Sequence, residues 1–507
     1  MKKNTTILLV FIITKFALHY FLIHPEYDLQ RDEYLHLDQG NHLAWGYISV
    51  PPVTSWIAYL IKLLGNGVFW VKFFPAAFGA VTMILIWKMI KELKGGLYAL
   101  ILGMFAILLS VILRINILFQ PNSLDILFWT LVYYTIIKYI NSNNSKWLIA
   151  AALAAGFGFL SKYNIIFLVL GLVPAILLTK LRKIFQDKML YAGIAIALVI
   201  VLPNLLWQYR NDWPTLHQLK ELSDTQLVNV KRTDFIKEQF LFFTGPAFII
   251  IGAFIGLLFY QPFGKYRFVL WSYLITILIF IFLKAKPYYA IGLYPVLMAF
   301  GSVYMEKITV ESRKRYWRVA MVVVLIGLSI PFILIAFPIK SPAEIQQKNK
   351  RYKSLGLLRW EDGKDHELPQ DFADMTGWKE LATKVDSIYL TLENKPGTLV
   401  ICDNYGQAGA INYYSEFKNI HAVSYNADYI NWIELDKKIT NVILVKDVYD
   451  DDSTRLKEQP LFDTILLTGE IENPYSREKG TKIFLLKKAK TDINRIIAND
   501  IKERRSQ

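Results

Sequence analysis

The chain has 507 residues, of which 54% are hydrophobic and only 20% charged, whereas a soluble domain usually carries about 25% charged residues. Its net charge of +15 would suit a nucleic-acid binder, but residues 340–507 hold 26 basic against 27 acidic side chains. The excess therefore lies in the short loops of the first 339 residues, where it reports membrane topology and excludes a phosphate-backbone-binding face.

Apolar blocks of about 17–24 residues recur as far as residue 338, the length that crosses about 30 Å of hydrocarbon at 1.5 Å per residue. They predict eleven spans, at 5–23, 69–90, 97–113, 123–140, 147–160, 163–179, 189–207, 241–260, 267–284, 288–305 and 318–338. The first block follows Lys2-Lys3 and lacks a small-residue cleavage site, so it reads as a retained helix rather than a signal peptide. Basic residues fall on alternate loops: Lys2-Lys3; Lys88, Lys91 and Lys94; Lys138 and Lys146; Lys180, Arg182, Lys183 and Lys188; Lys265 and Arg267; and Lys307, Arg313, Lys314, Arg315 and Arg318. That side is the expected cytoplasmic one, with the N-terminus on it. Loops 24–68, 114–122, 161–162, 208–240 and 285–287 then face outward, together with everything from residue 340.

The first outward loop is expected to carry two surface helices. One runs from Arg31 to Ala44 with Leu35 and Leu43 as apolar anchors, and the other starts near Val53 after Pro51-Pro52. Trp56, Tyr59, Leu60 and Leu63 make an apolar stripe on the second, as expected of a helix lying along a membrane surface. Loop 208–240 reads as partly helical. The expected division is a membrane domain, 1–339, and a soluble periplasmic α/β domain, 340–507. In the latter, strands are expected at Gly397–Cys402, Asn441–Val445, Thr464–Leu467 and Lys482–Leu486, with a helix from Gln407 to Phe417. Cys402 is the only cysteine, so the chain has no internal disulfide.

Residues able to carry chemistry gather on the outward side. Arg31-Asp32-Glu33-Tyr34 is followed by His36, Asp38 and His42. Two adjacent carboxylates just beyond the first span could supply a general base. Asp32 and His36, four apart, share a helical face, while Glu33 points elsewhere. The plainer reading is a helix N-terminus carrying acids for its macrodipole. The spacing of His36 and His42 matches no standard zinc motif. Arg114 is the only arginine in an outward short loop and either snorkels to lipid headgroups or binds an anion. Asp125, just inside the fourth span, needs a partner, and Arg114 is the expected one. Lys162 interrupts two apolar segments, and Lys284 and Lys286 precede Pro287-Tyr288-Tyr289. Such cations beside membrane-level acids suit a lipid-linked phosphate or pyrophosphate; for Lys284 snorkelling is the better reading. The chain has no Walker A, GxGxxG, HExxH or GxSxG motif, which argues against a nucleotide-driven pump.

Taken in order, these segments resemble glycosyltransferase family 39, which includes protein O-mannosyltransferases and the aminoarabinose transferases that modify lipid A. Arg31-Asp32-Glu33 through Gly46-Tyr47 to Pro51-Pro52 resembles the family's first periplasmic loop. Arg114 to Trp129, Gly156 to Tyr163 and Lys286 to Pro295 resemble later segments, and Asp403 to Ile411 resembles the periplasmic tails of bacterial members. The resemblance covers about residues 1–310. It implies a GT-C fold and transfer of a sugar from a polyprenyl-phosphate donor to an acceptor hydroxyl at the outer face of a bacterial inner membrane. It implies Asp32 as the catalytic base, Glu33 in acceptor or donor placement, Arg114 and Lys162 on the donor phosphate, and Lys286 with Tyr288 closing the site. His36, Asp125 and Tyr289 are further candidates. No cofactor is expected, since the lipid-linked sugar is a substrate; a divalent cation is compatible with the resemblance but nothing in the sequence indicates one. The expected partners are that donor, a lipid, glycan or protein acceptor, and membrane lipid, without nucleic acid. One departure stands out: where the family often has an acid after the proline, this chain has Asn122. A transporter or flippase of a lipid-linked glycan is the alternative, and it would call for charges deep in the spans and an inverted repeat. A non-catalytic scaffold would leave the outward acids and cations unexplained.

Overall fold

The computed structural model describes residues 2–225, 231–311, 315–452 and 454–506. Arg313 and Lys314, counted among the cytoplasmic-side cations, and residues 226–230 of loop 208–240 lie outside the described residues. The chain forms two compact units: Met1–Ile23, Ala44–Ile57 and Leu64–Ile339 in one, His24–Leu43, Ala58–Leu63 and Lys340–Gln507 in the other.

The first unit is helical, and each of the eleven expected spans falls on a described helix. Six helices are long and apolar enough to cross a membrane alone: Lys3–Phe21, Val68–Glu92, Asn122–Ser142, Lys188–Arg210, Pro287–Ile308 and Tyr316–Ala336. Two bent pairs, Ile165–Leu177 with Lys180–Gln186 and Arg232–Phe242 with Ala247–Phe259, raise the number to eight if each is one span. The remaining expected spans correspond to shorter apolar helices, Leu97–Leu108, Lys146–Ser161 and Phe268–Phe282. The block at 97–113 is split because Ser110 caps a new turn, Val111–Ile115, accepting from the Ile112 N–H. Large apolar side chains face outward all over this unit: Val199 is 69% exposed, Val319 68%, and Phe259 and Phe282 77%. A surface so apolar, on helices that satisfy their own backbone, is suited to hydrocarbon rather than water, and the chain is a multi-pass membrane protein.

Between the helices small residues allow close approach. Ala247–Phe259 lies against Tyr294–Ile308, with Gly252 facing Met305 and Gly301 facing the Ile249 carbonyl. A Cβ at Gly301 would fall inside that carbonyl. Gly301→Ala is therefore expected to destabilise the unit by about 1–3 kcal/mol, read as a lower thermal midpoint in detergent. Glu306, buried on the same helix, accepts from the N–H groups of Gly96 (2.5 Å) and Ala99 (3.3 Å), so a carboxylate sits on the positive end of helix Leu97–Leu108.

The second unit is built on a five-stranded sheet, β1 Thr398–Cys402, β2 Ala422–Ser424, β3 Asn441–Lys446, β4 Phe462–Glu470 and β5 Lys482–Ala489, in the order β2-β1-β3-β5-β4. β1 is parallel to β2 and β3, while β5 runs antiparallel to β3 and β4. Ile401, Val442, Phe484 and Leu486 pack with Ile493 and Ile497 of the last helix, Ile493–Ser506. Cys402 is buried at the end of β1. The outward-loop helix Arg31–Gln39 joins this unit. Tyr34 is fully buried, its ring edge-on to Trp378 (5.7 Å), and Gly409 of helix Tyr405–Tyr414 lets the two helices touch there. The apolar side of this helix is thus covered by C-terminal residues. Of its two expected anchors, Leu35 is buried and Leu43 is 51% exposed.

Candidate functional site

In the first unit the chemistry collects at the turn between helices Lys146–Ser161 and Ile165–Leu177. Lys162 is extended there and ends the first helix, its N–H donating to Gly158. Its ammonium donates to Asn122 Oδ1 at 2.6 Å and lies 5.0 Å from the Tyr288 ring centre and 4.6 Å from that of Tyr289. Those two rings stand edge to face, 4.7 Å apart. Asn164, two residues on, donates from Nδ2 both to Asp125 Oδ2 (2.7 Å) and to the Tyr289 carbonyl (3.0 Å), tying the turn to helix Asn122–Ser142 and to the Lys286-Pro-Tyr-Tyr segment. Lys286 caps the short helix Pro287–Leu293 and is within electrostatic reach of Lys162. Lys284 is exposed, in keeping with snorkelling.

The expected pairing of Asp125 with Arg114 is not what forms. Asp125, buried in the first turn of its helix, takes its hydrogen bond from Asn164 and its charge interaction from Lys162. Arg114 donates from Nε to the Ala336 carbonyl at 3.0 Å. The reason is local: the turn carrying Lys162 and Asn164 presents both side chains to the start of helix Asn122–Ser142. The structure thus gathers Lys162, Lys286, Asp125, Tyr288 and Tyr289. Lys162 makes its direct hydrogen bond to a neutral amide, not to the Asp125 carboxylate. The departure at Asn122 falls on that contact.

Helix Lys188–Arg210 and the following helix Pro214–Thr225 hold the stretch around Gly46–Pro52 and the Lys162 turn. Asn204 Nδ2 donates to the Trp45 carbonyl (2.7 Å), Gln208 Nε2 to the Tyr163 hydroxyl (3.0 Å), and Thr215 Oγ1 to the Ile48 carbonyl (3.1 Å). These side chains, with Asn164, tie the segments together, and none of them was singled out from the sequence. Only Asn164 had a signal, lying two residues from Lys162.

The second unit holds the acids. Gln30 starts helix Arg31–Gln39 with a capping box: its side chain accepts from Asp32 N–H (2.9 Å), and Glu33 Oε2 accepts from Gln30 N–H (2.8 Å). Glu33, fully buried, therefore does the capping work of the plainer reading. Asp32 is half-buried and accepts at Oδ1 from the Tyr405 hydroxyl, 2.7 Å away. Burial, then the neighbouring Asp32 carboxylate, push the Tyr405 phenol far above its ordinary value, so it stays a donor. The Arg31 guanidinium lies 4.2 Å from the Tyr405 ring centre. His36 is buried against Gln39 Oε1 (3.0 Å), and burial lowers its pKa, favouring the neutral ring. Asp38 accepts from Tyr429 (2.6 Å), Asn412 (2.7 Å) and Asn41 (3.0 Å), and burial raises its pKa. His42 stacks on Trp432 at 4.3 Å. Among the described residues no three His, Cys, Asp or Glu side chains come together as a metal ion would need.

Comparison with known proteins follows the same lines. Residues 49–207 match the family described as dolichyl-phosphate-mannose-protein mannosyltransferase. A curated relative, the lipid A galacturonosyltransferase RgtD of Rhizobium johnstonii, is 24% identical over 215 residues, 40% of this chain. That match spans 45% of the relative's own length. The crystal structure of ArnT from Cupriavidus metallidurans bound to undecaprenyl phosphate superposes with a TM-score of 0.64 at 13% identity, covering 95% of this chain and 98% of that one. Its apo structure gives 0.62 at 14% identity over the same shares. At such identities the structural likeness speaks for the fold. Sequence match, curated relative and fold agree with one another: part of the chain is similar to this mannosyltransferase family, and its fold is the GT-C fold of ArnT.

Proposed function

We propose that the chain is a membrane glycosyltransferase that moves a sugar from a polyprenyl-phosphate donor to an acceptor hydroxyl at the outer face of a bacterial inner membrane. The observation that carries this reading is the Lys162 ammonium, hydrogen-bonded to the neutral Asn122, backed by Tyr288 and Tyr289 and within reach of Lys286. The matched relatives support it by name: ArnT was crystallised with undecaprenyl phosphate, and RgtD acts on lipid A. Asp32 removes the acceptor proton as that oxygen bonds to the anomeric carbon. The bond from that carbon to the phosphate oxygen breaks, and polyprenyl phosphate leaves with the electron pair. Lys162, Lys286 and Arg114 take up the charge that develops on it, which is where fixed cations lower the barrier most. Tyr288 and Tyr289 line this phosphate end, and Asp125 with Asn164 holds the Lys162 turn in place. Glu33 and His36 serve Asp32 by fixing its helix. Nucleotide and metal are not called for. Membranes containing the chain, given radiolabelled polyprenyl-phosphate sugar, are expected to move label to a second product; label that stays on the polyprenyl lipid across all acceptor preparations would remove the reading.

Arg114 supplies a narrower test. A guanidinium grips phosphate through two parallel bonds and an ammonium does not. Arg114→Lys is expected to weaken donor binding by about 1.5–3 kcal/mol, the worth of a charge-assisted hydrogen bond. Donor binding at the parent level in a normally folded variant would take Arg114 out of the phosphate site.

A further inference from the structure

We infer that Tyr405, from the C-terminal part of the chain, is a positioning residue for Asp32, its phenol setting the carboxylate that takes the acceptor proton. The inference rests on the proposed role of Asp32 and extends it to a C-terminal residue of the same unit.

The phenol is held from several directions. Asn404 and Gln407 form a reciprocal capping box, with Asn404 Oδ1 accepting from Gln407 N–H (3.1 Å) and Gln407 Oε1 from Asn404 N–H (3.4 Å), so Tyr405 is locked as the first residue of its helix. Gln407 Nε2 is anchored on Glu478 Oε2 at 2.6 Å. Asp403, at the exit of β1, is pinned by the Lys446 ammonium (2.6 Å) and the Asp447 N–H (2.9 Å). On the other side, the Arg31 N–H donates to the Asp374 carbonyl (3.0 Å), and the Arg31 guanidinium covers the Tyr405 ring. The next residue has to be glycine: a Cβ at Gly406 would lie 2.7 Å from Arg31 Cγ and 3.0 Å from Trp378 Cη2. The ring direction is therefore set by a strand end, a capped helix and a stacked guanidinium. All of it converges on one 2.7 Å hydrogen bond to Asp32 Oδ1. A carboxylate with one oxygen so held loses rotational freedom about its last torsion and presents its plane in one orientation, which a general base needs before a hydroxyl arrives. This also gives a reason for residues 24–43 to belong to the C-terminal unit.

The test is Tyr405→Phe in the full chain reconstituted in nanodiscs, with labelled polyprenyl-phosphate sugar and a competent acceptor. The ring and its stack on Arg31 remain, and only the donor is lost. Turnover is expected to fall by roughly 10- to 100-fold with donor KM within about twofold, because placement of the base is lost while donor contacts are kept. A merely structural tie would lower the thermal midpoint and leave turnover of the folded protein at the parent level. Fluorotyrosine at position 405, which preserves shape and donates more strongly, should change turnover without changing donor KM and covers the case in which Tyr405→Phe does not fold. Parent turnover in these variants, alongside an inactive Asp32→Asn, would overturn the role of Tyr405. An Asp32→Asn protein at the parent rate would instead overturn the base assignment on which it rests.

Discussion

Asp32→Asn is expected to lower turnover by about 100- to 10,000-fold while donor binding stays at the parent level, the usual worth of a positioned general base. An acceptor hydroxyl has a pKa far above 7, so its attack needs a base within hydrogen-bond reach. The amide keeps the size and polarity of the carboxylate but takes no proton. The structure makes the substitution a clean one: the Tyr405 hydroxyl that donates to Asp32 Oδ1 can donate equally to an amide oxygen, so the side chain keeps its place. Glu33→Gln should lose much less, because its oxygen serves the Gln30 N–H in the capping box and an amide oxygen can accept there too. Purified variants assayed for transfer and for donor binding in the same sample check both. Near-parent turnover by Asp32→Asn would return the acids of this helix to the macrodipole reading.

Lys162→Ala is expected to weaken donor binding by about 2–5 kcal/mol, the range for truncating one partner of a buried, hydrogen-bonded charge pair. Part of that loss would come from Asp125, which is buried and whose charge interaction is with Lys162. Removing the lysine strands the carboxylate, leaving it neutral hydrogen-bond partners such as Asn164 and Trp129. The double variant Lys162→Ala with Asp125→Asn separates the two effects, since its amide carries no charge to strand. If Lys162 serves the donor phosphate, donor binding stays weak in the double variant. If it serves only to neutralise Asp125, binding returns to the parent level.

Much of the architecture could be read from local patterns. Apolar blocks located all eleven helical regions, and short β-branched runs located β1, β3, β4 and β5. Periodicity could not give the number of full crossings, because a break such as that at Ser110 depends on a single cap inside an otherwise apolar block. β2, only three residues long, was too short to announce itself, and it is held by its register with Val400 to Cys402. The Lys162 turn was legible as a charge between apolar segments, but its partners were not. Position along the chain favoured Arg114 for Asp125, whereas the pairing is decided by which turn reaches the start of helix Asn122–Ser142. Tyr405 was beyond sequence reasoning altogether, since 373 residues separate it from Asp32 and a tyrosine opening a helix carries no local sign of a distant carboxylate. The Asp403–Ile411 resemblance marked the segment without saying what it does.

The central claim is that the chain breaks the bond between sugar and polyprenyl phosphate. Its most direct test is purified protein in liposomes loaded with labelled polyprenyl-phosphate sugar and supplied with acceptor, with free polyprenyl phosphate and transferred sugar counted together. One polyprenyl phosphate is expected to be released for each sugar transferred, and neither product from Asp32→Asn. Intact polyprenyl-phosphate sugar appearing in the opposite leaflet, with no polyprenyl phosphate released, would contradict it and identify a transporter instead.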